Sequence, residues 1–230
     1  MKKLLTGSLL LLLLFAFSGV AGAVSYKVVG RADDTLHSFI TSGWNPTWNF
    51  ATKLTIETDQ GKTLFAYGLN PDRDNPYFGS WATYQQKDAS AVLGAEKLGF
   101  ITELISYLTP KISSDSRYDT LLQFCIWEAV VDGIDNFDPR GNNFMLYGNA
   151  NYSWYVDAMN GIKSGMVAGN YQLLEIEYTI FSPDVGLFKK PQDLLVFDIK
   201  GPAPSVPVPG AVWLLGSGLA GIAALRRKAA

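Results

Sequence analysis

Alternating apolar and polar residues on both sides of the middle of the chain predict antiparallel β-strands. The predicted strands cover residues 25–30, 53–58, 63–67, 171–181 and 194–197. The turn signal Gln60-Gly61 lies between the second and third of these strands, so the two are expected to form a hairpin. In the fourth strand the apolar residues share one face and the glutamates the other, which is typical of a strand with one side in solvent.

Between these strands the pattern changes to a helical period. Apolar residues recur every three or four positions over residues 91–108, which predicts an amphipathic helix that Pro110 is expected to end. Ser116 and Asp119 have the spacing of a capping box and predict the start of a second helix. A third helix is predicted over residues 152–166. Strands, a helical middle and strands again predict an α+β fold, in which a β-sheet or sandwich carries a helical insertion.

The first 23 residues have the pattern of a secretory signal peptide. Lys2 and Lys3 give the positive start, an apolar run follows over residues 4–17, and Ala21-Gly22-Ala23 supplies the small side chains that a signal peptidase accepts. The mature chain is therefore expected to begin at Val24. The alternative is an N-terminal membrane anchor, which the shortness of the apolar run disfavours.

The other end of the chain also has the composition of a targeting segment. A Pro-rich linker over residues 201–205 separates the predicted secreted domain, residues 24–200, from a terminal segment, residues 206–230. The terminal segment opens with the motif Val206, Pro207, Val208, Pro209 and Gly210. It ends with a basic stop made of Arg226, Arg227 and Lys228.

The apolar run between this motif and the basic stop predicts a membrane anchor. Cations that follow an apolar helix stay on the cytoplasmic side, so the preceding domain is expected outside. The run over residues 211–225 has 15 residues. As a helix it is about 22 Å long, which is short for a bilayer core of about 30 Å. We therefore expect a transmembrane helix that anchors the chain only transiently, with a soluble C-terminal helix as the alternative.

The order of these parts resembles the PEP-CTERM sorting signals of Gram-negative bacteria. The segment is most similar to the subgroup with a Val-Pro-Leu-Pro motif, and Val208 stands where the glutamate of the family name would be. The resemblance implies export, transient anchoring in the inner membrane and recognition by an exosortase-type enzyme. It also implies release to the cell surface or to an exopolysaccharide matrix, as in a biofilm.

Composition and charge exclude several classes of protein. A single Cys and a single His exclude an internal disulfide and a zinc site built from Cys and His. Five of the 19 basic residues lie at the two ends, so the stretch between them carries 14 basic against 21 acidic residues. Such a surface repels phosphate, so we expect no nucleic-acid partner.

The segment over residues 121–130 contains the most informative polar side chain. Its apolar stripe predicts a buried helix, whereas Gln123, Trp127 and Val130 lie on a separate face of that helix. A glutamine beside a tryptophan on one face predicts an amide that is shielded from water and hydrogen-bonded. We expect core or interface packing for this face.

This segment resembles bacterial thioester domains, because it contains their Gln-x-x-hydrophobic-Trp motif as Gln123, Ile126 and Trp127. Those surface adhesin modules join a Cys thiol to a Gln side chain, and their Cys lies upstream, at the end of a strand. The corresponding segment here is residues 65–72, and Gly68 stands where the Cys should be. The resemblance therefore implies a thioester-like fold whose reaction centre is lost.

Cys125 and His37 are the remaining candidates for nucleophilic chemistry. Cys125 cannot replace the missing thiol, because side chains two positions apart on a helix point in different directions. We expect it to be an inert buried thiol. A Ser-His-Asp triad would have to use His37, and the sequence contains no Gly-x-Ser-x-Gly elbow.

Two further groups of residues suggest ligands. Asp132, Asp135 and Asp138 are weak candidates for a calcium site, with a solvated acidic turn as the alternative, and no other cofactor is expected. Aromatic residues that could stack on sugar rings, or could belong to the core, are Trp44, Trp48, Tyr152, Trp154 and Tyr155.

These patterns together predict an exported, non-enzymatic protein of the cell surface or extracellular matrix that acts in adhesion or in contact with exopolysaccharide. One alternative is an extracellular carbohydrate-active enzyme that uses two carboxylates, although no pair is evident among the 21 acidic residues. The other alternative is a purely structural matrix component without a ligand.

Overall fold

The computed structural model describes most of the predicted secreted domain. The described residues are 23–32, 36–40, 46–73, 79–135, 137–138, 140–141, 143–146, 152–169, 171–183 and 191–202. Residues 1–22 of the predicted signal peptide and the segment over residues 203–230 lie outside these ranges.

The strands of the described residues fall into two groups separated by helices. They are β1 (Ala23–Arg31), β2 (Leu36–Ile40), β3 (Pro46–Phe50), β4 (Leu54–Thr58), β5 (Thr63–Gly68), β6 (Trp81–Asp88), β7 (Met145–Leu146), β8 (Leu174–Pro183) and β9 (Leu194–Pro202). The helices are α1 (Ala89–Leu93), α2 (Ala95–Ile112), α3 (Arg117–Val131) and α4 (Tyr152–Val167).

Six of the strands close into an antiparallel barrel in the order β1-β4-β5-β9-β8-β6. The prediction of an open sheet or a sandwich is therefore wrong. Strand β6 closes the sheet into a barrel, because it pairs with β1 on one side and with β8 on the other. Bulges at Val29 in β1 and at Lys200 in β9 provide local curvature. The predicted hairpin is confirmed, since Ile56 of β4 lies opposite Leu64 of β5.

The predicted helical insertion is confirmed: all four helices of the described residues lie between β6 and β8 in the chain. Strands β3, β2 and β7 form a separate small sheet. One apolar core fills the barrel, and a second, larger core lies between the helices and the strands that they cover. The result is a mixed fold of a six-stranded barrel with helices on its outside.

The first predicted helix differs from the structure at both ends. Gly94, with φ of 80°, separates α1 from α2. Pro110 does not end α2, which continues to Ile112. A proline this close to the end of a helix removes only one hydrogen bond of the last turns, so the two following residues remain helical.

The predicted capping box is also wrong. The side chain of Ser116 makes no cap hydrogen bond, and Asp115 instead accepts a hydrogen bond from the backbone N–H of Arg117, at 3.0 Å. Asp119 is buried and bonds to groups outside its own helix, so it is not available to the first turn. The third predicted helix is confirmed, because α4 covers Tyr152–Val167.

The C-terminal end of the domain extends further than predicted. Strand β9 continues through Gly201 and Pro202, which are the first two residues of the predicted linker. No helix within the described ranges is both long and apolar enough to cross a membrane. The predicted transmembrane helix over residues 211–225 lies outside those ranges.

Candidate functional site

The side chain of Gln123 joins α3 to the end of β5. The backbone N–H of Gly68 donates to Gln123 Oε1 at 2.9 Å, and Gln123 Nε2 donates to the Gly68 carbonyl oxygen at 2.8 Å. Gln123 is 1% exposed. The predicted shielded and hydrogen-bonded amide is therefore confirmed, and the structure brings together the two positions that the thioester motif pairs.

Helix α3 is buried on every side along this stretch. All residues from Asp119 to Ala129 are buried, including Ile126 and Trp127 of the predicted motif. The predicted separate face of the helix is therefore covered by protein. Gln123 is polar within a core, and its amide is held because both ends of it pair with one peptide unit.

Gln192 fills the space in front of Gly68. It is buried immediately upstream of β9, and a Cβ atom built on Gly68 would overlap its Oε1 atom. No local sequence pattern predicts Gln192 at this site, because only the pairing of β5 with β9 brings it to Gly68. Glycine at position 68 thus fits a site where another side chain already occupies the available volume.

A buried carboxylate lies one helical turn before Gln123. Tyr67 Oη donates to Asp119 Oδ1 at 2.5 Å, and Lys53 Nζ lies 3.0 Å from Asp119 Oδ2. Burial, followed by the nearby Asp119 carboxylate, raises the pKa of Tyr67 well above its ordinary value. Tyr67 therefore stays a hydrogen-bond donor, and Lys53 balances the charge of the carboxylate at the edge of the site.

The arrangement around Gln123 has no nucleophile in place. Cys125 is buried, as predicted, and burial followed by the Glu128 carboxylate raises the pKa of its thiol well above the ordinary value. A protonated thiol is a poor nucleophile. In the described part of the chain, the Gly68–Gln123 pair therefore acts as a clamp between the barrel and the central helix.

The predicted calcium ligands do not assemble into a cluster. Asp132 Oδ1 accepts from the backbone N–H and from Nδ2 of Asn143, and Asp132 Oδ2 accepts from the N–H of Phe144. Asp138 Oδ1 accepts from the N–H of Arg140. Among the described residues, no group of three acidic, Cys or His residues is arranged to hold a metal ion.

Glu128 is fully buried next to this loop and should make stability depend on pH. Burial raises the pKa of Glu128 from 4.5 to about 8. The hydrogen bond from the Asp138 N–H and the charge of Lys163 lower this pKa, whereas the charges of Asp132 and Asp138 raise it. Between these pH values the folded chain holds a proton that the unfolded chain has lost. Stability should therefore decrease as the pH rises from about 4.5 to about 8, by at most about 1.4 kcal/mol per pH unit.

Urea unfolding of the Glu128→Gln variant across the same pH range checks this expectation. The amide cannot ionise, so the variant should lose the decrease in stability above pH about 5 and should exceed the wild type near pH about 9. Glu103→Gln, on an exposed part of α2, is the matched control and should keep the wild-type pH profile. An identical profile in the Glu128→Gln variant would contradict the assignment.

A pair of carboxylates lies on neighbouring barrel strands. Glu177 of β8 is directly opposite Asp198 of β9, and Lys200 Nζ lies 2.9 Å from Glu177 Oε2 and 2.6 Å from Asp198 Oδ2. The hydrogen bond from Lys200 lowers the pKa of Asp198. The ammonium group thus offsets the repulsion of two like charges in register.

The candidate aromatic residues that the structure describes differ in their exposure to solvent. Trp48 is 60% exposed, whereas Tyr155 is buried and Trp154 packs against it at 5.1 Å between ring centroids. Tyr152 packs at the edge of the helical core. Trp44 and the side chain of His37 lie outside the described residues.

Comparison with known protein families identifies the tail. Residues 205–228 match the PEP-CTERM protein-sorting motif, which confirms the predicted sorting signal. The chain is thus an exported protein whose sorting by an exosortase leads to the cell surface or the extracellular space. Searches of curated proteins and of solved structures found no match to the chain, and nothing in these comparisons supports the resemblance to thioester domains.

Proposed function

We propose that the chain is a non-enzymatic surface or matrix protein whose barrel domain binds exopolysaccharide after export. The observation that carries this proposal is the sorting motif over residues 205–228, because it delivers the domain to the surface where such polymers accumulate. Signal peptidase and an exosortase are its processing partners, and the tail anchors the chain only until it is cut.

The state of the two candidate reaction centres supports a role without catalysis. Both polar atoms of the Gln123 amide are engaged by the main chain of Gly68, and no thiol faces them among the described residues. The Glu177 and Asp198 carboxylates share Lys200, and the hydrogen bond from Lys200 favours the charged form of Asp198. Glycoside cleavage needs one carboxyl group that stays protonated near neutral pH, and a lowered pKa at Asp198 is the opposite of that requirement.

We further infer that the domain is related to thioester domains and has lost the reactive bond. The contact between Gly68 and Gln123 supports this inference, since it pairs the two positions that such a bond would connect. In this chain Gln192 takes the volume that a side chain at position 68 would need.

The test of the proposed function uses the exported chain purified from the producing cells. It is passed over beads of neutral cross-linked dextran and of agarose, and the soluble phase is assayed for new reducing ends. Retention on at least one matrix without new reducing ends is expected. New reducing ends would show a hydrolase instead, and absence of retention on both matrices would favour a purely structural component.

A further inference from the structure

One end of the barrel encloses a half-open cavity of about 270 Å³. Its floor is apolar and consists of Leu64, Phe181 and Val196, which belong to or pack against the core of the barrel. The buried ring of Tyr26 lies 5.1 Å from that of Phe181 and stacks on Tyr84 at 4.1 Å between centroids. The cavity is therefore a cup that ends on a packed core.

The rim of this cup is polar and its charges balance. Glu177 and Asp198 contribute two carboxylates, Lys62 contributes one ammonium group, and Lys200, bound to both carboxylates, contributes a second. A rim without net charge has no excess charge with which to attract an anion such as phosphate or a cation. It favours a ligand that is itself neutral.

The remaining rim groups offer donors and acceptors side by side. Gln60 and Gln86 each bring an amide with both functions, and Thr179 brings a hydroxyl group. A ligand with several hydroxyl groups, each of which donates and accepts, matches such a rim. On the apolar floor, the partly exposed side chain of Leu64 offers an apolar contact for the C–H face of a pyranose, whereas the Phe181 ring lies beneath the surface.

The size of the cup limits the ligand further. Its volume of about 270 Å³ lies just below the usual range of small-molecule sites, which begins at about 300 Å³. One sugar ring fits such a volume, whereas an extended polymer does not. The cup is therefore suited to a chain end or to a single-residue branch.

We propose that the barrel cup binds one neutral hexose residue at a chain end or branch of an exopolysaccharide. This inference rests on the proposed function and assigns it a site. The cup lies at the opposite end of β5 from Gly68, so it is separate from the Gly68–Gln123 clamp.

The test measures binding of D-glucose, D-galactose and D-mannose to the exported chain by ligand-observed NMR, with D-glucuronate and D-glucosamine as charged comparisons. A neutral hexose should bind with a dissociation constant on the order of 1 mM, as expected for so small a ligand. Both charged sugars should bind more weakly, because the balanced rim offers no compensating charge.

Two pairs of variants locate the binding. Gln86→Ala, in the cup, should weaken binding about tenfold, whereas Gln85→Ala, exposed on the adjacent position of β6, should leave it unchanged. Glu177→Gln should also weaken binding, and Glu175→Gln, exposed on the same strand but outside the lining, should not. Thermal unfolding of each variant verifies that the barrel is intact.

The outcomes separate the site from the function. Retention on dextran or agarose together with unchanged hexose binding in both cup variants would overturn the site and leave the proposed function standing. Retention on a matrix without binding of any neutral hexose at about 50 mM would likewise overturn the site and leave the proposed function standing. Failure of both retention and hexose binding would overturn the two proposals together.

Discussion

Replacing Gln123 by Ala is expected to lower the free energy of unfolding by about 3 kcal/mol. The substitution removes two buried hydrogen bonds and leaves the N–H and carbonyl groups of Gly68 without these partners. It also leaves a cavity between α3 and β5, because Gln123 is almost completely buried. Urea unfolding followed by circular dichroism measures the loss.

Two companion variants show that the loss comes from the clamp. Gln172→Ala removes the same side chain from an exposed position and should change stability by less than about 0.5 kcal/mol. Gln123→Glu keeps the size of the side chain but places a carboxylate oxygen against the Gly68 carbonyl oxygen, so it should also destabilise the fold. Wild-type stability of the Gln123→Ala variant would exclude the clamp.

The second large effect is expected at Gly68. Gly68→Ala should cost about 2 kcal/mol, because its Cβ atom would overlap the side chain of Gln192. The added Gln192→Ala substitution should recover at least half of that loss, giving a strong coupling in a double-mutant cycle. Strictly additive effects of the two substitutions would show that Gln192 does not fill the space at Gly68.

The same pair of positions tests the inferred relation to thioester domains. In a chain with Gly68→Cys and Gln192→Ala, a thiol would lie beside the Gln123 amide with room to react. Formation of the bond between the thiol and the amide carbonyl releases ammonia, so the intact mass should decrease by that of one ammonia molecule. Methylamine should then open the thioester to a free thiol and an N-methyl amide, which raises the mass to that of the unreacted chain plus one CH₂ group. Full mass in this variant would argue against the relation, and the wild type is the control that lacks the thiol.

Local periodicity predicts five of the nine strands of the described residues but misses β2, β3, β6 and β7, and it does not predict how the strands pair around the barrel. The β4–β5 hairpin and α4 depend on neighbouring residues, so their patterns are visible in the sequence. Closure of the barrel depends on pairing between β6 and β8, which lie on either side of the helical insertion. No local pattern reports such a distant pairing.

The candidate site shows the same limit. The Gln-x-x-hydrophobic-Trp spacing pointed to Gln123, and a glycine in place of an expected Cys pointed to Gly68. The spacing of Ser116 and Asp119 predicts a capping box, whereas Asp119 contacts Tyr67 of β5 and Lys53, the residue directly before β4. Gln192 has no local signal at all, since only the β5–β9 ladder brings it to Gly68.

The direction of β9 links processing of the tail to access to the cup. This strand passes the rim at Asp198 and ends at Pro202, and the sorting motif begins at residue 205. If the tail anchors the chain as proposed, the rim would lie close to the lipid surface until the tail is cut. On the two proposals above, cutting the tail would uncover the cup, and newly delivered molecules would capture polymer only after they leave the cell that made them.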